Sequence, residues 1–161
     1  MNRATAGQQL QGLLVFMGAL AQGLETVLGR GASPITFRAG RTVGLQTEAP
    51  RTSSDILEAL DLLSGQLGSQ GIVWPFRVYH RDRQQRPFYE KDGKTAVQLV
   101  FSHCMVRCAL FRYGHEQRRS LCMMNHGLFC GHLQKILGKK VDLEILHAGE
   151  NACLKELLIS Q

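Results

Sequence analysis

The sequence predicts an α+β domain with helices packed on one face of an antiparallel sheet. Three observations carry that expectation. Apolar residues recur at helical spacing near the start, strand-like runs separated by turn chemistry fill the middle, and a helical segment followed by two strand-like runs closes the chain. A length of 161 residues suits one domain spanning 1–161, because a chain of that size buries about two-thirds of its unfolded surface around a single core.

The elements follow in order. Leu10, Leu13, Leu14, Met17, Leu20, Ala21, Leu24, Val27 and Leu28 form one stripe, which predicts a first helix from Gln8 to Leu28 that stops at Gly29-Arg30-Gly31. Val15 and Phe16 lie off the stripe, so a second face is apolar and predicts a partner helix from another subunit, hence a homodimer. ITFRAG reads as a short strand and GRTVGL as the start of a brief helix. Ser54 or Asp55 caps a second long helix with Ile56, Leu57, Leu60, Leu63 and Leu67 inside, ending between Gly68 and Gly71. IVWPFRVYH and TAVQLVFSHC read as strands, and FYEKDGK is a hairpin signal turning at Asp92-Gly93. MVRCALFRYG reads as a short helix. Ser120 opens a third long helix that runs to Leu137 and stops at Gly138, and KVDLEIL and CLKELLIS close the chain as strands around Gly149.

The charge and the N-terminus restrict the function classes. The formal net charge is +6, but the basic residues are scattered, with one dense segment, RVYHRDRQQR, and no recognisable reading element, which argues against nucleic acid. Arg3, LLVFMGALA and Ala19-Leu20-Ala21 imitate a secretory signal, yet the helical stripe continues well beyond the apparent cleavage site. The apolar run is short against the roughly 20 residues a bilayer requires, so the expectation is a cytoplasmic protein without a membrane span. Five cysteines, an odd number, fit free thiols or a metal site better than a disulfide framework.

All five cysteines and five of the six histidines fall in the C-terminal half. Cys122, His126 and Cys130 stand at i, i+4 and i+8, on one helix face, either as metal ligands or as small core residues. A second grouping joins elements: Cys122, Glu144, His147 and Cys153. Thiolate, imidazole and carboxylate together suit tetrahedral zinc, and Cys104 and Cys108 add thiolates enough for an iron-sulfur cluster. Glu144 and His147, three apart on a strand, act together only if the strand ends or bulges near Leu146.

The segment CMMNHGLFCGHLQKILGKKVDLEILHAGENACLKELLIS resembles the C-terminal signature of the four-vinyl-reductase domain family. Gly127, Gly131, Gly138, Glu144, Gly149, Glu150 and Cys153 carry the resemblance, with FRAGRTVG matching loosely in the N-terminal half. The resemblance implies a ligand-binding α+β fold akin to transport-particle subunits and haem nitric-oxide binding domains. It also implies a pocket for a small apolar or aromatic ligand, and zinc on Cys122, Glu144, His147 and Cys153. His147 stands where cysteine is usual, and the turn to Cys153 is about two residues shorter. The expected function is a non-enzymatic ligand-binding or sensor module with a structural metal. The alternatives are a tetrapyrrole-pathway vinyl-reductase-like enzyme or accessory factor, or an iron-sulfur redox sensor. No dinucleotide fingerprint, phosphate loop or nucleophile triad is present in the sequence to support an enzyme.

Overall fold

The computed structural model describes residues 5–72, 74–80, 86–104, 106–107 and 117–160. Helix α1 spans Ala6–Leu28, where Thr5 and Gln8 form a reciprocal capping box that satisfies the exposed amides of the first turn. A single 3₁₀ turn, Gly29–Gly31, leads directly into α2, Ala32–Gln46. The segment expected to be a strand, ITFRAG, is therefore helical, and Pro34 sits in the first turn of α2, where its missing N–H costs nothing. Helix α3 covers Ile56–Ser69 and is capped by Asp55, whose carboxylate accepts from the Glu58 amide at 2.8 Å.

Strands β1 (Phe76–Val78) and β2 (Phe88–Lys91) pair with successive stretches of one edge of β3 (Lys94–Ser102). Asp92 and Gly93, with φ of 50° and 71°, turn the β2–β3 hairpin as the Asp-Gly signal predicts. Helix α4 runs Ser120–Leu137 and ends at Gly138, whose φ of 68° is the left-handed stop expected there. Strands β4 (Val141–Ala148) and β5 (Ala152–Ser160) complete an antiparallel sheet in which β5 lies between β3 and β4. The short helix expected over MVRCALFRYG is described only at Val106 and Arg107, which are helical; its other residues, Cys108 included, lie outside the described set.

Helices α3 and α4 cover one sheet face. Leu60, Leu63 and Leu67 of α3 and Phe129, Leu133 and Ile136 of α4 meet Val97, Leu99, Phe101, Val141, Leu157 and Ile159 in a continuous core. Helix α2 lies against α4 at a glycine crossing: Gly40 and Gly44 face Gly127 and Gly131, and the backbones approach so closely that no side chain fits between them. The N-terminus of α4 is capped from outside, by Glu25 of α1. Its carboxylate accepts from the Ser120 amide at 3.1 Å and the Ser120 hydroxyl at 2.7 Å, and pairs with Arg119 at 3.3 Å. The sequence suggested Ser120 itself as that cap; a carboxylate opposite the positive end of the helix dipole performs the task instead.

The rest of α1 projects from the body. Phe16 is 65% exposed and Val27 80%, with Leu10, Leu13, Val15 and Leu20 also open to solvent. The continuous helical run Ala6–Gln46 is long and apolar enough, by length and composition alone, to cross a bilayer, which the shorter apolar stretch read from the sequence did not anticipate.

Candidate functional site

Side-chain alternation along β5 places Cys153, Lys155, Leu157 and Ile159 on the face toward α4. At the open end of that face, α4 contributes Cys122 and Asn125, the segment after β3 contributes Cys104 and Arg107, and β4 contributes Ile145 and Ala148. With Trp74, Gln117, Arg118, Cys153 and Lys155 they enclose a narrow cavity. The space open to the centre of a water-sized sphere is about 20 Å³, room for one water or one small ion. A wider cleft of about 670 Å³ beside α3, lined by Glu48, Arg51, Glu58 and Asp61 among others, contains none of the expected site residues.

The cavity is electrically unusual. Lys155 is 4% exposed, and its ammonium stands 4.3 Å from the ring centroids of both Trp74 and Phe101. Burial pulls its pKa down to about 8, against the opposing pull of the nearby thiols. Burial likewise pushes the Cys122 thiol up, so the neighbouring sulfur stays neutral around pH 7. Arg107 donates to the Gly149 carbonyl and ties the β4–β5 turn to the cavity wall. Arg118 lies exposed at the mouth. Trp74 Nε1 and Asn125 Nδ2 are buried donors without an acceptor among the described residues.

The expected ligand set is divided by the sheet. Cys122 and Cys153 do line one cavity, with Cys104 as a third thiol. The bulge required near Leu146 is present, since Ile145 opposes Lys155 and His147 opposes Leu154 with Leu146 left over. Its effect is to set Glu144 and His147 on the same face, but on the face away from α4. Glu144 is in register with Glu156 and pairs with Lys91 at 3.7 Å, whereas His147 is exposed and folds over Gly149. Glu156 occupies that outer face too, accepting from Tyr89 and Lys91. Two ligands thus lie on each side of a strand, and no group of three metal-capable side chains assembles among the described residues. Lys155, Arg107 and Arg118 around the thiols disfavour a further cation as well. The four expected ligands as placed do not fit a single zinc site; Cys108, a candidate for the iron-sulfur alternative, lies outside the described residues.

The remaining candidates on α4 are core residues. Cys130 is fully buried, its pKa raised by burial to about 12, and an inert thiol of that kind packs as a small apolar side chain. His126 stacks on Trp74, 6.4 Å between centroids, and burial followed by the charge of Lys155 lowers its pKa well below the usual histidine value.

The sequence reading missed Lys155. The signal was present: Cys153, Leu157 and Ile159 alternate with it, so period two places the amine on the apolar face.

The architecture is an α+β fold with helices packed on an antiparallel sheet. In solved structures, the chain is similar to the phenol-responsive sensory domain of the transcription activator PoxR with phenol, at 14% identity and a TM-score of 0.58, covering 91% of this chain and 74% of that one. Identity at this level establishes the shared fold. No protein-family model matches the chain, and no curated protein matches it.

Proposed function

We propose that this protein is a small-molecule-binding sensor module whose ligand, small and apolar or aromatic, enters between α4 and the sheet and contacts Trp74. The observation that carries this reading is the Trp74 cavity itself: buried donors without acceptors, in a fold shared with a phenol-responsive sensory domain. A ligand of phenol size requires more than the present 20 Å³, so binding involves displacement of the long Arg107 and Arg118 side chains at the rim. Because Trp74 is the sole tryptophan, its fluorescence reports on the cavity directly. Titration with phenol and with substituted benzenes is expected to give a saturable change and a raised melting temperature for at least one compound. A flat response across such a panel, by fluorescence and by melting temperature together, would overturn the reading.

The exposed apolar side chains of α1 favour a second component of the proposal, a homodimer in which the α1 helices of two copies cover each other. A helix of 23 residues is about 35 Å long, enough to bury the roughly 800 Å² per partner that stable interfaces use.

A further inference from the structure

We infer that the Trp74–Lys155 cavity is an anion receptor, which takes the carboxylate head of a small ligand. The inference rests on the reading of this cavity as the ligand site and adds the chemical class of the group that enters it.

Three cations at graded depth line the cavity: Lys155 buried on β5, Arg107 half-buried after β3, and Arg118 exposed before α4. Among the described residues that line it there is no carboxylate. Glu156, next in sequence to Lys155, is turned to the opposite sheet face by strand alternation and is engaged by Lys91 and Tyr89 there. Among the described residues, the titratable groups that face Lys155 are Cys104, Cys122, Cys130 and Cys153, and also His126 on α4, whose pKa its charge depresses.

Two further donors point to an acceptor. Trp74, 5% exposed, and Asn125, 6% exposed, each leave a buried N–H without a partner among the described residues. Such orphans in a folded protein call for a bound acceptor. An ammonium, an indole N–H and an amide N–H around one small space match the several lone pairs of a carboxylate. A neutral amide of the same shape offers one acceptor oxygen and brings donors of its own, which meet only other donors here. A metal cation meets the buried ammonium of Lys155. The rings of Trp74 and Phe101 hold the ammonium in place by cation–π contact before the anion arrives, so little ordering cost remains.

The test uses acetate and acetamide, probes of nearly equal size of which one is an anion and the other neutral, on the intact protein at constant ionic strength. Trp74 fluorescence and titration calorimetry are the readouts. Acetate is expected to bind saturably and acetamide at least tenfold more weakly. Lys155→Met should abolish acetate binding, and Arg118→Gln, an exposed position that leaves the fold intact, should weaken it about two- to fivefold. Equal affinity for acetate and acetamide overturns the inference, as does undiminished binding by folded Lys155→Met or the absence of saturable acetate binding by either readout. If Lys155→Met does not fold, the acetate-to-acetamide ratio and Arg118→Gln decide the matter. Should phenol bind while acetate does not, the sensor reading stands and the anion receptor falls; should neither bind, both fall.

Discussion

Alanine at Gly127 should separate α2 from α4 and destabilise the whole domain. A Cβ at Gly127 would lie 1.9 Å from the Phe37 carbonyl oxygen, and ordinary contact begins near 3.4 Å, so the helices must part by about 1.5 Å. The obstacle is backbone on both sides, so no rotamer change relieves it. Overpacking of this kind costs about 3 kcal/mol, and exchanging glycine for alanine inside a helix returns about 1 kcal/mol of propensity. The net loss is at least about 2 kcal/mol, or a melting temperature lower by about 4–8 °C in a domain of this size. Gly12 on the projecting part of α1 has nothing within 4 Å and serves as the internal control. There Gly12→Ala should be neutral or stabilising by up to about 1 kcal/mol. Urea titration of the two variants beside the parent measures both differences. Equal or greater stability of Gly127→Ala would refute the interlocked crossing. The same variant should also weaken phenol or acetate binding, because α4 carries Cys122 and Asn125 into the cavity.

Three further outcomes follow from the structure. Burial alone would raise the pKa of Glu25, but hydrogen bonds from Ser120 and the charge of Arg119 outweigh it and hold the carboxyl below its ordinary value. Its contribution to stability is therefore present above the unfolded-state carboxylate pKa and lost as pH falls through the lower folded value. Glu25→Gln should flatten that acid limb in denaturation curves recorded from pH 7 to pH 3, and an unchanged acid limb would contradict the cap. Purified protein should carry well under one zinc per chain by elemental analysis, and Cys122→Ser or Cys153→Ser should leave the metal content unaltered; stoichiometric zinc lost in either variant would show that the hairpin rearranges to gather Glu144 and His147. Light scattering at tens of micromolar should report a dimer, and Phe16→Glu with Leu20→Glu should convert it to monomer. A monomeric parent, or one that sediments with lipid vesicles, would count against pairing through α1.

The parts of this fold that the sequence alone determined are those whose cause is local. Asp92-Gly93 turns the β2–β3 hairpin and Gly138 stops α4, because each needs a positive φ that few other residues adopt cheaply. The stripe of α3 and the alternation of β3 and β5 likewise follow from one face meeting the core. ITFRAG failed because its β-favouring Thr36 and Phe37 are overruled by Gly40 and Gly44, whose purpose is visible only once Gly127 and Gly131 stand opposite. The candidate site divides along the same line. Cys122 and Cys153 could be paired from the sequence, one on the last helix and one on the last strand. The faces of Glu144 and His147 could not, since a single extra residue at Leu146 reverses every later side chain on β4. Nor did the sequence show that Lys155 would lie beneath Trp74 in a cavity whose described lining holds no carboxylate. That charge balance depends on which residues from five separate segments share one enclosed space, and only the tertiary structure brings them together.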